Sequence, residues 1–364
     1  MSGKYFKLSP ESHLVLGCKC SLIHNLLSDE IIWLNEENTR IVSEAETGKA
    51  YIHPDSVLDD LVTMGWGCFN EKKIFIDKIR TTNIFSQKRM WKNTPFINYA
   101  VLQLTNSCNL DCSFCKETFC PTCIRLPIVP DKNELSTREW MQIINELKAF
   151  GTNMILLTGG EVALRKDLHQ IIDYALKLDI KVNVHTNGLI PIRGLQDAVN
   201  ITISVLKETY VETIIENYYD NKFLNLLAVN IDRQYLASKA RKGWNIINVS
   251  IEPPLIRKST LLKTDIFGYF ARKLTDSCLN GKVAIAYNGD VFPCLGYKGE
   301  GIVNLHHGNI SDAVKVLVDD FWNTPVNLVS DKCKLCEFRY ACNTCRMLDS
   351  NSQCNYDLEE SVWK

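Results

Sequence analysis

The chain has 364 residues, 46% of them hydrophobic and 23% charged, with a formal net charge of -1. That length suits two or three domains with a sizeable core, and the even charge balance argues against nucleic acid or an acidic membrane surface as partner. No stretch reaches the ~20 apolar residues of a membrane span and the first ten residues lack an apolar signal run, so the expected location is cytoplasmic, where fifteen cysteines point to metal ligation rather than disulfides.

Residues 1–95 read as a module of their own. Ser12-His-Leu-Val-Leu, the run from Cys20 to Leu27 and Glu30-Ile-Ile-Trp-Leu-Asn are three predicted strands. A helix is predicted from Glu36 to near Gly48. Another starts at Asp55-Ser56, which offer N-cap oxygens, and buries Leu58, Leu61 and Val62. Met64-Gly-Trp-Gly breaks it, and Lys73-Ile-Phe-Ile-Asp is predicted to return as a strand. Cys18, Cys20 and Cys68 have no ligand-like spacing and are expected to be small buried side chains.

Between residues 96 and 276 strands and helices alternate. Tyr99-Ala-Val-Leu-Gln-Leu is the first strand and runs directly into a cysteine loop. Ser136-Thr-Arg-Glu139 is a capping-box sequence, behind which Trp140, Ile143, Ile144, Leu147 and Phe150 recur at helical spacing before Gly151. Asn153-Met-Ile-Leu-Leu-Thr is a continuous apolar strand suited to a sheet covered on both faces. Leu168, Ile171, Ile172, Ala175 and Leu176 mark the next helix. Lys181-Val-Asn-Val-His, Asn200-Ile-Thr-Ile-Ser-Val, Ala228-Val-Asn-Ile and Ile246-Ile-Asn-Val-Ser-Ile follow as strands. Such alternation implies a parallel sheet with right-handed crossovers, an α/β fold. The last region, 277–364, holds one predicted amphipathic helix over 310–330 and a cluster of cysteines.

The chemistry-bearing residues follow the strands. Cys108-Asn-Leu-Asp-Cys112-Ser-Phe-Cys115 places three thiols on one loop, close enough to wrap a single zinc or iron–sulfur centre. The second strand ends in Thr158-Gly159-Gly160-Glu161, where glycine permits close backbone approach and the carboxylate can receive an ammonium group. It is not a dinucleotide fingerprint, because G-x-G-x-x-G is missing. Thr186-Asn187-Gly188 closes the third strand, and Ser204 lies in the fourth. Farther on come Cys278, Cys294, Cys333-x2-Cys336-x5-Cys342-x2-Cys345 and Cys354. A zinc ribbon separates its cysteine pairs by roughly 15–20 residues, whereas only five intervene here.

The triplet C-x3-C-x2-C with the following Gly-Gly-Glu resembles the radical S-adenosylmethionine (radical SAM) enzymes, and the C-terminal cysteines resemble the SPASM extension of its peptide maturases. The resemblance implies a partial (β/α)6 barrel over 96–276, with chemistry at the C-terminal strand ends. It implies a catalytic [4Fe–4S] cluster on Cys108, Cys112 and Cys115, whose open iron chelates S-adenosyl-L-methionine. Phe114 would lie against the adenine, Gly159, Gly160 and Glu161 would contact the cofactor's amino group, and Thr186, Asn187 and Ser204 would line its pocket. Two auxiliary [4Fe–4S] clusters would use Cys278, Cys294 and Cys345, and Cys333, Cys336, Cys342 and Cys354. One departure touches Cys345, because the family usually has three residues before that last cysteine and here Asn343 and Thr344 are two. Cys120 and Cys123 could complete the first auxiliary cluster, act as a redox pair or be structural.

Residues 1–95 are similar, by order of elements, to the winged-helix modules that bind a precursor's leader peptide as an added strand; a structural cap is the alternative. The implied partners are a precursor peptide with its leader and an external electron donor of flavodoxin or ferredoxin type, with no nucleic acid and no membrane. The implied reaction is hydrogen abstraction by a 5′-deoxyadenosyl radical on a ribosomally made peptide, leading to a thioether or carbon–carbon cross-link. A formylglycine synthase, a peptide epimerase or excision enzyme, and a non-catalytic iron–sulfur or zinc peptide-binding protein are the other readings.

Overall fold

The computed structural model describes residues 3–53, 55–81, 96–112, 134–195, 198–229, 231–249, 255–297, 299–342, 345–347 and 354–364. The chain forms two compact units, one of Met1–Gln87 with Leu255–Cys278 and Trp322–Lys364, the other of Lys88–Pro254 with Leu279–Phe321.

In the first unit β1 (Lys4–Leu8) precedes an antiparallel sheet of β2 (Ser12–Leu16), β3 (Ser21–Asn25) and β4 (Glu30–Leu34). Helix α1 (Glu36–Thr47) starts where the Asn35 side chain accepts from Asn38 N–H, and it stops at Gly48, whose φ of 94° a side chain would disfavour. β5 (Ala50–Tyr51) and β6 (Gly67–Asn70) flank β1, with α2 (Ser56–Thr63) between them in sequence. Phe6, Leu8, Ile23, Leu34, Val42, Leu58, Leu61 and Trp66 share one core. The C-terminal segments close a second one, in which Leu22 packs with Phe338, Ala341 and Tyr356. A third joins Val15 and Leu26 to Tyr269 and Phe270 on the helix Ile266–Leu274.

Several local expectations change here. Residues 73–77 are not a strand, and Phe75 is 85% exposed. Alternation alone does not make a strand without a partner edge, and the pairing with β1 is taken by Gly67–Asn70 instead. Asp55 stands at the N-cap of α2 without a side-chain cap bond, and Val57 rather than Val62 is buried. Cys20 is buried, but Cys18 and Cys68 are exposed, Cys18 in the turn between β2 and β3 and Cys68 on the edge strand β6.

The second unit is built on parallel strands in sequential order: β7 (Tyr99–Thr105), β8 (Met154–Gly159), β9 (Lys181–Thr186), β10 (Val199–Val205), β11 (Asn225–Val229) and β12 (Asn245–Val249). On the far side of β7 lie β13 (Lys282–Ile285), β14 (Asp290–Phe292) and β15 (Val303–Asn304). The predicted capping box is formed: Ser136 Oγ accepts from Glu139 N–H while Glu139 accepts from Ser136 N–H at 2.7 Å, starting the helix Thr137–Ala149. Trp140, Ile144 and Leu147 on it are buried, and Gly151 beyond it has φ 89°. Ile201, Ile203 and Val205 of β10 pack on Val211, Ile214 and Tyr218 of the helix Val211–Tyr218, so these positions define the helix-covered face of the sheet. β11 begins three residues before its predicted start, because Asn225 to Val229 is the stretch that matches the register of both neighbours. The helix predicted over 310–330 ends early: Ile310–Val316 passes into a π-helical turn at Leu317–Trp322, and Pro325 cannot continue the hydrogen-bond ladder.

Candidate active site

The C-terminal ends of β7, β8 and β9 meet at one place, and all of it lies within the second unit. β7 delivers Thr105, Asn106 and Ser107 to Cys108, and this turn is braced. Glu134 accepts from Thr105 Oγ1 at 2.6 Å and from Asn106 N–H at 3.1 Å. Arg165 donates to the carbonyls of Leu104 (2.8 Å) and Leu135 (3.2 Å) and pairs with Asp167 at 2.7 Å. The Arg165 guanidinium, aided by the Thr137 hydroxyl, holds the Asp167 carboxyl below the usual carboxylate range.

Against this turn lies Gly159-Gly160-Glu161. Gly160 N–H donates to Thr105 O (2.9 Å) and Glu161 N–H to Ser107 O (2.8 Å). A Cβ on Gly160 would collide with the Ser107 carbonyl, and Gly159 combines a φ of 145° with a Cβ position blocked by Thr105 O. Here glycine is demanded by close approach of two backbones. Glu161 is fully buried and accepts from Ala163 N–H (2.9 Å), Thr186 Oγ1 (2.7 Å) and Asn187 N–H (2.7 Å). A carboxylate offers about four lone-pair sites, so three donors leave it acceptor capacity. Asn187 Nδ2 reaches across to Asn109 Oδ1 at 2.7 Å, tying the end of β9 to the residue after Cys108. Gly188, with φ 75°, completes the turn, and Asn217 Nδ2 holds it through the Gly188 carbonyl at 3.0 Å.

Gly159, Gly160, Glu161, Thr186 and Asn187 are therefore brought together beside Cys108. Ser204 lies deeper, its hydroxyl 2.8 Å from His185 Nε2. Cys108 and Cys112 are both half-buried on the loop, and Leu110 N–H points to Cys108 Sγ at 3.4 Å. Two thiols on one loop, with a backbone amide directed at one of them, are a donor set that fits a sulfur-ligated cluster. Phe114, Cys115, Cys120 and Cys123 lie outside the described residues. Sequence reasoning missed Asn109, Glu134, Arg165 and His185. Only their proximity to strand ends could have suggested them, because their partners are 25 or more positions away except for the Arg165–Asp167 and His185–Ser204 pairs.

The C-terminal cysteines divide between the units, Cys294 in the second and Cys278, Cys333, Cys336, Cys342, Cys345 and Cys354 in the first. Cys336 and Cys354 share the core of Leu22 and Phe338, and Cys336 N–H donates to Cys333 O at 3.2 Å. Burial pushes the Cys336 thiol well up, with the neighbouring Glu337, Cys342 and Cys354 adding to it. Among the described residues no three His, Cys, Asp or Glu side chains converge as a metal site. Nor, among them, is any helix long and apolar enough to cross a membrane.

Residues 102–229 match the family model of the Radical SAM superfamily, so the chain carries a radical SAM domain. Among curated proteins, the sporulation killing factor maturation protein SkfB of Bacillus subtilis is 41% identical over 88 residues, 24% of this chain and 20% of that protein. The Fe-coproporphyrin III synthase of Methanosarcina barkeri is 35% identical over 88 residues, again 24% and 20%. The match thus spans about a fifth of the length of these relatives. Among solved structures, Streptococcus suis SuiB bound to precursor peptide SuiA covers 93% of this chain and 94% of its own, at 15% identity and a TM-score of 0.47.

Proposed function

We propose that this chain is a radical SAM maturase that modifies a ribosomally made precursor peptide. The observation that carries the reading is the junction of Cys108, Gly160, Glu161 and Asn187, where three strand ends converge on the cysteine loop. A [4Fe–4S] cluster and S-adenosylmethionine held there would supply the radical chemistry for hydrogen abstraction from a substrate carbon. Cys108, Cys112 and Cys115 are the residues that would hold the cluster. Glu161 would take the cofactor's ammonium group through its remaining acceptor capacity, and Thr186 and Asn187 orient that carboxylate. Gly159 and Gly160 let the end of β8 pack directly on the backbone that leads into the cysteine loop. Ser204 would line the deeper wall.

The shared segment with SkfB, by name a maturation protein, supports a peptide as substrate. Residues 1–95 are proposed as the leader-binding module, with β4 at the edge of its sheet as the pairing strand. Cys278, Cys294 and Cys345, and Cys333, Cys336, Cys342 and Cys354, are proposed as the residues that would hold two auxiliary clusters, whose chemistry would be electron acceptance in forming a thioether or carbon–carbon cross-link. A flavodoxin or ferredoxin would supply the first electron.

The test is direct. Anaerobically reconstituted protein is expected to hold about twelve irons per chain, three cubane clusters. Cys112→Ala is expected to lose about four of them and to abolish 5′-deoxyadenosine formation. With a precursor peptide as substrate, the intact enzyme is expected to remove one pair of hydrogens per cross-link, read by mass spectrometry. Undiminished cofactor cleavage by the Cys112 variant, or zinc in place of iron, would overturn the reading.

A further inference from the structure

The face of the large sheet opposite its helices carries a row of polar side chains that crosses six strands. The register places Gln103 beside Thr158, His185 beside Thr202, Thr202 beside Asn225 and Asn225 beside Asn245. Leu157 pairs with Val184, so Thr158 and His185 are the next neighbours along the same row. The preceding positions Leu102, Leu157, Val184 and Ile201 are apolar and buried, as strand alternation requires of the helix-covered face. Burial falls steadily along the row: Gln103 is 0% exposed, Thr158 2% and His185 6%, Thr202 and Asn225 are half-buried, and Asn245 is exposed.

Near the open end the polar groups answer one another, with Asn245 Nδ2 donating to Asn225 Oδ1 at 3.2 Å and His185 meeting Ser204. At the closed end Gln103 is not answered. Both Oε1 and Nε2 of Gln103 are buried without a hydrogen-bond partner among the described residues. An amide left so is a standing cost to the fold, and methionine or leucine would fill the same space without it. Gln103 also sits five positions before Cys108 on the strand that feeds the cysteine loop. A primary amide presents one acceptor and two donors, the complement of a peptide C=O and N–H.

We propose that Gln103 binds a peptide group of the substrate, and that the polar row from Gln103 toward Asn245 is the wall along which that backbone lies. The peptide nature of the ligand rests on the function proposed above; the unpartnered amide does not. Gln103 is a positioning residue: it holds the backbone so that one carbon faces the radical.

The experiment uses the full reconstituted chain with a synthetic precursor peptide selected as its substrate by screening, and a series in which each peptide group is replaced in turn by an ester. Gln103→Met keeps the length and removes both hydrogen-bonding ends. It is expected to raise the melting temperature of the peptide-free protein by about 3 °C. It is also expected to raise the apparent KM about tenfold with kcat changed less than about twofold. One ester position should raise KM for the wild type and not for Gln103→Met. Gln103→Glu, which keeps size and acceptors, is expected to fall between the two and serves if the Met variant does not fold. A lower melting temperature with unchanged KM would make Gln103 a packing residue, and ester effects equal in both proteins would remove the contact. A wild type inert toward every peptide screened would overturn the maturase reading itself, whereas an active wild type matched by its variants would overturn this inference alone.

Discussion

Gly160 and Glu161 show how little freedom the site leaves to single residues. Gly160 hands its N–H to Thr105 and has no room for a methyl group beside the Ser107 carbonyl. Gly160→Ala is therefore expected to push the cysteine loop away from β8, at a cost of about 2 kcal/mol. Urea unfolding and cofactor binding by calorimetry would both register it, and unchanged values would mean that the two turns are not packed as described. Glu161 takes three donors with no exposure to water. It joins the ends of β8 and β9.

At the level of elements, β2 and β3 carry an unusual pair. His13 and His24 stand directly opposite each other, packed against Tyr269 at ring-centroid distances of 5.2 and 5.0 Å, with Phe270 beside His13. Burial, followed by the charge of Lys273, pushes His13 down to about 4; burial, followed by His13 itself, pushes His24 down to about 3. In the unfolded chain each imidazole titrates near 6.5. The folded state thus holds fewer protons than the unfolded one below that pH. The stability these neutral rings contribute is complete above about pH 6.5 and is lost as the pH falls through the folded values. The slope is at most about 1.4 kcal/mol per pH unit for each ring. Midpoints of denaturant unfolding, followed by near-ultraviolet circular dichroism, are expected to fall steeply between about pH 6.5 and 4. His24→Leu should remove about half of that slope, and a flat profile in the native chain would contradict the burial of the pair.

Over the whole molecule, chain ends far apart in sequence share one unit. Glu337 is 1% exposed and accepts from Trp33 Nε1 at 3.2 Å and from Tyr356 Oη at 2.5 Å, binding β4 to the C-terminal segment. Arg339 donates to Leu16 O at 2.8 Å, and Leu22 completes the contact from within the sheet. Burial, with Glu337 beside it, pushes the Tyr356 phenol well up, so it remains a donor at any working pH. Glu337→Gln is expected to cost about 2–3 kcal/mol, because the charged oxygen that accepts from both Trp33 and Tyr356 gives way to a neutral carbonyl and an amide NH2 is buried where Oε2 stood. Protease cleavage between residues 1 and 80 should then quicken, and an unchanged digestion rate would show that the N-terminal sheet does not depend on this carboxylate.

Local sequence was enough for what depends on neighbours along the chain. The capping box at Ser136 and the glycine stops at Gly48 and Gly151 are set by spacing and side-chain chemistry within a few residues. Where a distant partner decides, local pattern failed. Lys73-Ile-Phe-Ile-Asp alternates like a strand, yet Gly67–Asn70 takes the pairing with β1. Cys68 looks like a core residue but lies on that edge strand with its side chain exposed. Likewise, nothing near Gln103 announces a buried amide without a partner, since its environment comes from strands that are adjacent only in the folded sheet. The sequence by itself determined which residues can ligate, cap and turn; tertiary structure alone decided which buried polar groups are answered, because their partners come from other strands and helices.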